Sequence, residues 1–135
     1  MALRLLVLVP FLAFAGCNPR ADECNRLIAV MNAAEDGLDG TERQADAAGI
    51  RRFAGDLDAV AARLDTVELK LEPLREFRER YRKILADYAR ALRTLADAQD
   101  TADGTKLRAT VEDGNALERD SHKLIGELND YCGGK

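Results

Sequence analysis

The stretch IRRFAGDLDAVAARLDTVELKL, residues 50–71, decides the fold. Ile50, Phe53, Leu57, Val60, Leu64, Val67 and Leu71 recur at alternating steps of three and four. That spacing lines one seam of an α-helix, the pattern that packs against neighbouring helices. Gly55 inside it costs about 1 kcal/mol relative to alanine, which an otherwise continuous seam tolerates. Pro73 sets the boundary: it pushes Glu72 out of the helical region and itself suits the first turn of a new helix.

That new helix repeats the pattern. Leu74, Phe77, Tyr81, Ile84, Tyr88, Ala91, Leu95 and Ala98 form its stripe, flanked by Leu85 and Leu92. The run Asp100–Gly104 (DTADG) is a turn. A further helix is predicted from about Thr105 to Tyr131, with Leu107, Val111, Leu117, Leu124, Ile125 and Leu128 apolar and Cys132 just past its end. Upstream, Asp22 is a fitting N-cap for a helix that carries Cys24, Leu27, Ile28, Met31, Ala34 and Leu38 on one face. Thr41-Glu42-Arg43-Gln44 resembles a capping box that would restart a helix after Gly40. One weaker helix running to about Ala45, frayed near Gly37 and Gly40, is the preferred reading.

Four helices with short connections predict an all-α, antiparallel up-and-down four-helix bundle with coiled-coil-like packing. An even helix count returns the C-terminus to the end where the chain began. A helix of about 27 residues is roughly 40 Å long, so the bundle is a short rod with one free end.

The N-terminal stretch has a different character. Met1–Arg4 carries one positive charge, and Leu5–Phe14 is almost wholly apolar. A run this short suits a signal-peptide core and falls well below the about 20 residues that span a bilayer. Ala15, Gly16 and Cys17 follow, with Phe14 where leucine is usual. Through these residues the segment resembles a bacterial lipoprotein signal. The resemblance implies that Cys17 receives a diacylglyceryl group and becomes the first residue of the mature chain. It also implies an outer-membrane address facing the periplasm, because Asn18 is not the aspartate that often retains such proteins in the inner membrane. The alternative is an ordinary secretory signal cleaved near residues 13–16, with Cys17 a thiol.

The expected organisation is therefore a signal peptide over residues 1–16, a lipidated tether over 17–21, the bundle over 22–132 and a disordered tail over 133–135. A tether from Asn18 to Ala21 reaches only about 13 Å. With Cys17 lipidated, Cys24 and Cys132 remain as an even pair in an oxidising compartment, and a disulfide between them is expected. Two separate buried thiols are the alternative.

Chemistry is sparse. The chain has 20 basic and 24 acidic residues, one histidine and no tryptophan. No concentrated basic face suggests nucleic acid. His122 and Ser121 are adjacent on a helix and point about 100° apart, which disfavours a nucleophile pair. A di-iron bundle site needs Glu-x-x-His pairs on two helices, whereas Glu118 and His122 are four apart and stand alone. Neither catalytic residues, nor a metal, nor a cofactor is expected. Paired carboxylates such as Glu112-Asp113 and Asp56 with Asp58 read as a solvated face.

Arg75, Arg78, Arg82 and Arg90, with Arg80, Lys83 and Arg93, make the third helix basic, while the first carries Glu23, Glu35, Asp36, Asp39, Glu42 and Asp46. Complementary faces within the bundle, with pairs such as Glu79–Lys83, account for this; a basic ridge for anionic headgroups or an acidic partner is the functional alternative. Asn32, Asn115, Ser121 and His122 are candidate pocket residues.

Cys24-Asn25-Arg26-Leu27-Ile28 near the start and Glu127-Leu128-Asn129-Asp130-Tyr131-Cys132 at the end resemble small all-helical, disulfide-tied envelope lipoproteins of environmental bacteria. That likeness implies fold and location alone. The expectation is a lipid-anchored, non-enzymatic interaction or structural module with an envelope protein partner. The alternative is a periplasmic bundle that holds a small ligand.

Overall fold

The computed structural model describes residues 18–38 and 46–134, with side chains described at all of these except 34–38. Four helices are present: α1 (Pro19–Leu38), α2 (Ala47–Asp65), α3 (Glu72–Asp100) and α4 (Gly104–Gly133). They form the expected all-α four-helix bundle, and among the described residues there is no strand. Three long-range links fix the directions. Arg51 at the start of α2 reaches Asp97 and Asp100 at the end of α3, at 2.8 and 2.7 Å. Arg80, early in α3, pairs with Glu127, late in α4, at 2.8 Å. Cys24 near the start of α1 is disulfide-bonded to Cys132 at the end of α4. Successive helices thus run antiparallel. α3 packs along α2 on one side and α4 on the other.

The helix ends differ from expectation at the base, the disulfide end. α1 starts at Pro19, not after Asp22. Asn18 does the capping: its Oδ1 accepts from the Arg20 amide at 3.1 Å, and its carbonyl from the Asp22 amide at 3.1 Å. Proline at the first helical position gives up only an amide that would have been unpaired. The expected tether over 17–21 therefore shrinks, within the described residues, to Asn18. Leu38 is the last described residue of α1, so its continuation to Ala45 and the capping box at Thr41 lie outside the described residues.

α2 begins with Asp46 as N-cap, its carboxylate accepting from the Gly49 amide at 2.7 Å. It ends at Asp65, six residues before the seam does. Thr66 closes it, donating its hydroxyl to the Arg63 carbonyl at 2.7 Å. Beyond it Val67 and Leu69 are buried and Leu71 half-buried, while Glu68 and Lys70 are exposed. That is a period of two, the mark of extended chain. The extended backbone still needs partners, and side chains supply them. Glu23 accepts the Lys70 and Leu71 amides, and Arg78 donates to the Val67 carbonyl at 3.0 Å. The N-cap of α3 is Leu71, and Glu72 is already helical, so the extended residue falls one position earlier than Pro73 suggested.

The α3–α4 turn closes with the Asp103 amide donating to the Ala98 carbonyl at 2.9 Å, while Ala102 adopts a left-handed conformation at φ 52. Asp103 then caps α4 by accepting from the Lys106 amide at 3.0 Å. Cys132 and Gly133 lie inside the last turn of α4 rather than beyond it.

The core is graded along the rod. Its largest fully buried side chains are Leu27, Leu64, Leu74 and Leu124, one from each helix. Toward the free end, fully buried positions shrink to Ala54, Ala89, Ala96 and Ala98. Val111, expected on the apolar face of α4, is 51% exposed, and Thr110 is buried in its place. The Thr110 hydroxyl is satisfied by the Lys106 carbonyl at 2.8 Å, so its burial leaves no orphaned donor.

Candidate functional site

Two regions bring functional side chains together. The first is the base. Glu23 is 3% exposed, an unusual place for a carboxylate. It sits one residue before Cys24, so a single turn of α1 is tied to α4 by the disulfide and to the α2–α3 linker by hydrogen bonds. Bonds from the Leu71 and Lys70 amides hold its carboxyl below the usual glutamate range against the opposing effect of burial, with help from Arg26 and Lys70. Around it, Arg20 lies over the Tyr131 ring at 5.7 Å and Arg80 over the Phe77 ring at 5.7 Å. The two rings are 5.9 Å apart and tilted by 49°. Together these groups form a short stack of cation, ring, ring and cation joining α1, α4 and α3.

The second region is a groove that runs from mid-length of the rod toward its free end, between α2 and α4 with α3 as its floor. One section, about 240 Å³, is lined by Phe53, Leu57, Tyr88, Leu117, Ser121 and His122 among others. The next, about 140 Å³, shares Tyr88 and Glu118 with it and continues past Val111 and Asn115. Both open to solvent. The structure therefore brings Asn115, Ser121 and His122 to one trough, but Asn32 is exposed on α1 and lines neither section.

The arginines of the candidate ridge all have intramolecular partners. Arg75 pairs with Glu72, Arg78 with Glu79 as well as the Val67 carbonyl, and Arg82 with Asp65 at 2.8 Å. Arg90 pairs with Asp87 at 2.9 Å, and Arg93 with Asp58. Lys83 first and Arg90 second hold the Asp87 carboxyl below its usual range, and Arg80 does the same for Glu127. Asp97 and Asp100 raise the Arg51 guanidinium above its ordinary value. Among the described residues the acids paired with these cations lie on α2, α3 and α4, while Glu35, Asp36, Asp39 and Glu42 of the expected acidic first helix lie outside the described side chains; Lys83 pairs with Asp87 in place of Glu79. Arg82 and Arg90 also border a shallow furrow of about 620 Å³ between α2 and α3.

Among the described residues no group of three or more His, Cys, Asp or Glu side chains gathers in a way that could hold a metal ion. None of their helices is long and apolar enough to cross a membrane. Cys17 lies outside the described residues. Sequence reading missed the role of Glu23 and the stacked aromatics. Phe77 and Arg80 show the three-residue spacing of helix neighbours, but their link to Tyr131 exists only in the folded chain. Compared with models of protein families, with curated proteins and with solved structures, the chain matches none.

Proposed function

We propose that this chain is a lipid-anchored cell-envelope protein, attached through Cys17, whose bundle serves as a non-enzymatic interaction or structural module. The chief support is the junction at the base. An apolar leader ending in Ala15-Gly16-Cys17 is followed by a helix that starts at Pro19 and belongs to the disulfide-tied end of the bundle. An anchored domain has to bear its load at the point of attachment. Here that point is braced by a disulfide and by the Glu23 contacts. Charged groups elsewhere are engaged mainly in ties between and along helices. The free end, and the groove that opens from mid-length toward it, are then directed toward the periplasm.

In-cell cross-linking of the native protein, followed by mass spectrometry of captured species, tests this reading. The expected result is a reproducible protein partner cross-linked through the far half of α3 or α4. Capture of lipid and self-adducts alone would contradict an interaction role. The groove favours a second reading, a bundle that binds a small apolar molecule against Phe53, Leu57 and Tyr88 with His122 at the rim. Saturable ligand binding lost on Leu57→Asp would support that alternative.

A further inference from the structure

On the anchored reading, the position of α1 decides which surface lies toward the membrane. Asn18 is the one described residue between Cys17 and the helix, and one extended residue spans about 3.3 Å. Asn18, Pro19 and Arg20 are exposed and stand a turn below the level of Cys24 and Cys132, beside Gly133 and Gly134 at the end of α4. The Arg20 side chain is held here by Tyr131, and one of its terminal nitrogens runs close to Gly134. Lys70, Glu72 and Pro73, exposed at the start of α3, complete the rim.

Charge on this end is nearly balanced. Arg20, Arg26, Lys70 and Arg75 stand against Asp22, Glu68, Glu72 and Asp130, so attraction over distance is weak and seating depends on the short tether. Within that balance Arg20 is distinct. Like Arg26 and Lys70 it has no carboxylate partner among the described ion pairs, but of these four cations it is the one that rests on an aromatic ring and occupies the outermost turn. A guanidinium fork left open in this way matches the paired oxygens of a phosphate.

We propose that the disulfide-closed base is a membrane-contact surface seated on the phospholipid headgroup layer, with Arg20 as its phosphate contact. The inference rests on the anchored reading above. The rod then stands off the bilayer, and the α3–α4 turn lies about 43 Å away, the length of α3 at 1.5 Å per residue.

The chain contains no tryptophan, so single tryptophans report position cleanly. Ala21→Trp at the base and Lys106→Trp at the free end both replace exposed residues. The full chain is expressed with its leader, extracted from membranes and reconstituted into vesicles of phosphatidylethanolamine and phosphatidylglycerol that carry brominated acyl chains. Intact mass and vesicle flotation are read on the same samples. The expected result is lipid mass, flotation and several-fold stronger quenching at A21W than at K106W, with the contrast reduced by Arg20→Glu. Lipid mass with equal quenching at the two sites overturns the seated base and leaves the anchor standing. An unchanged contrast in the Arg20→Glu variant overturns the phosphate contact. Absence of both lipid mass and flotation overturns the anchored reading and this inference with it.

Discussion

The carboxylate of Glu23 accepts the backbone amide of Leu71 at 2.9 Å across 48 residues of sequence. With the Lys70 amide at 2.8 Å on the same oxygen, it satisfies two backbone donors of the extended linker that leads into α3. Unmet donors in a half-buried linker are costly, so this one side chain lets the chain run extended from α2 into α3. Glu23→Ala should lower the urea midpoint at pH 7 more than Glu127→Ala, whose partner Arg80 remains free to meet water. Equal midpoints would contradict the linker role.

Acid should act through the same group. The folded pKa of Glu23 is depressed, so its contribution is full above the ordinary glutamate value of about 4.3 and is lost as pH falls through the lower folded value. Asp87 and Glu127 titrate in the same sense. Stability should therefore be flat near neutrality and decline below about pH 4.3. Glu23→Gln should show a shallower acid limb in denaturation curves taken from pH 6 to pH 3. An acid limb identical to the parent's would assign the loss to other carboxylates.

The disulfide closes a loop with a sequence separation of 108. In the chain-entropy account a loop of that size restricts the unfolded chain by up to about 4.7 kcal/mol, and losing such a bond commonly costs about 2–5 kcal/mol. A variant carrying Cys24→Ser and Cys132→Ser should lose that amount in urea denaturation. It should also become cleavable by protease near the base before the α3–α4 turn. A stability unchanged from the oxidised parent would contradict the brace.

Core substitutions should follow the gradient in burial. Leu27→Ala, Leu64→Ala and Leu124→Ala each empty a fully buried site and should cost about 2–5 kcal/mol. Val111→Ser, at an exposed site, should stay within about 0.5 kcal/mol. Denaturation midpoints decide between this pattern and an evenly distributed core.

Ala102 occupies a left-handed conformation at φ 52 where glycine is the usual residue. A side chain there costs about 1–2 kcal/mol, and glycine gives back about 0.5–1 kcal/mol through its freedom when unfolded. Ala102→Gly should therefore raise stability slightly, by up to about 1.5 kcal/mol. A fall in melting temperature would contradict the assigned turn.

The seam from Ile50 to Leu64 was legible because burial and helical period coincide there. Its last two members were not. Leu64, Val67 and Leu71 step by three and four, but Val67, Leu69 and Leu71 also alternate, and the same residues fit either period. Thr66 and the waiting Glu23 carboxylate decide for extended chain, and Glu23 is 47 residues from Lys70. Asp22 was a reasonable cap, but Asn18 with Pro19 starts the helix earlier. The disulfide was legible because helix number and cysteine placement both brought Cys24 to Cys132. The polar middle of α4 was legible as a set, but its position opposite Phe53 and Leu57 depends on how α2 and α4 flank α3.

The claim on which the functional account depends is the attachment at Cys17. Intact mass spectrometry of the chain extracted from bacterial membranes measures it directly. The account predicts a mature chain that begins at Cys17 and carries diacylglyceryl mass. A mature chain with no added lipid mass would contradict it.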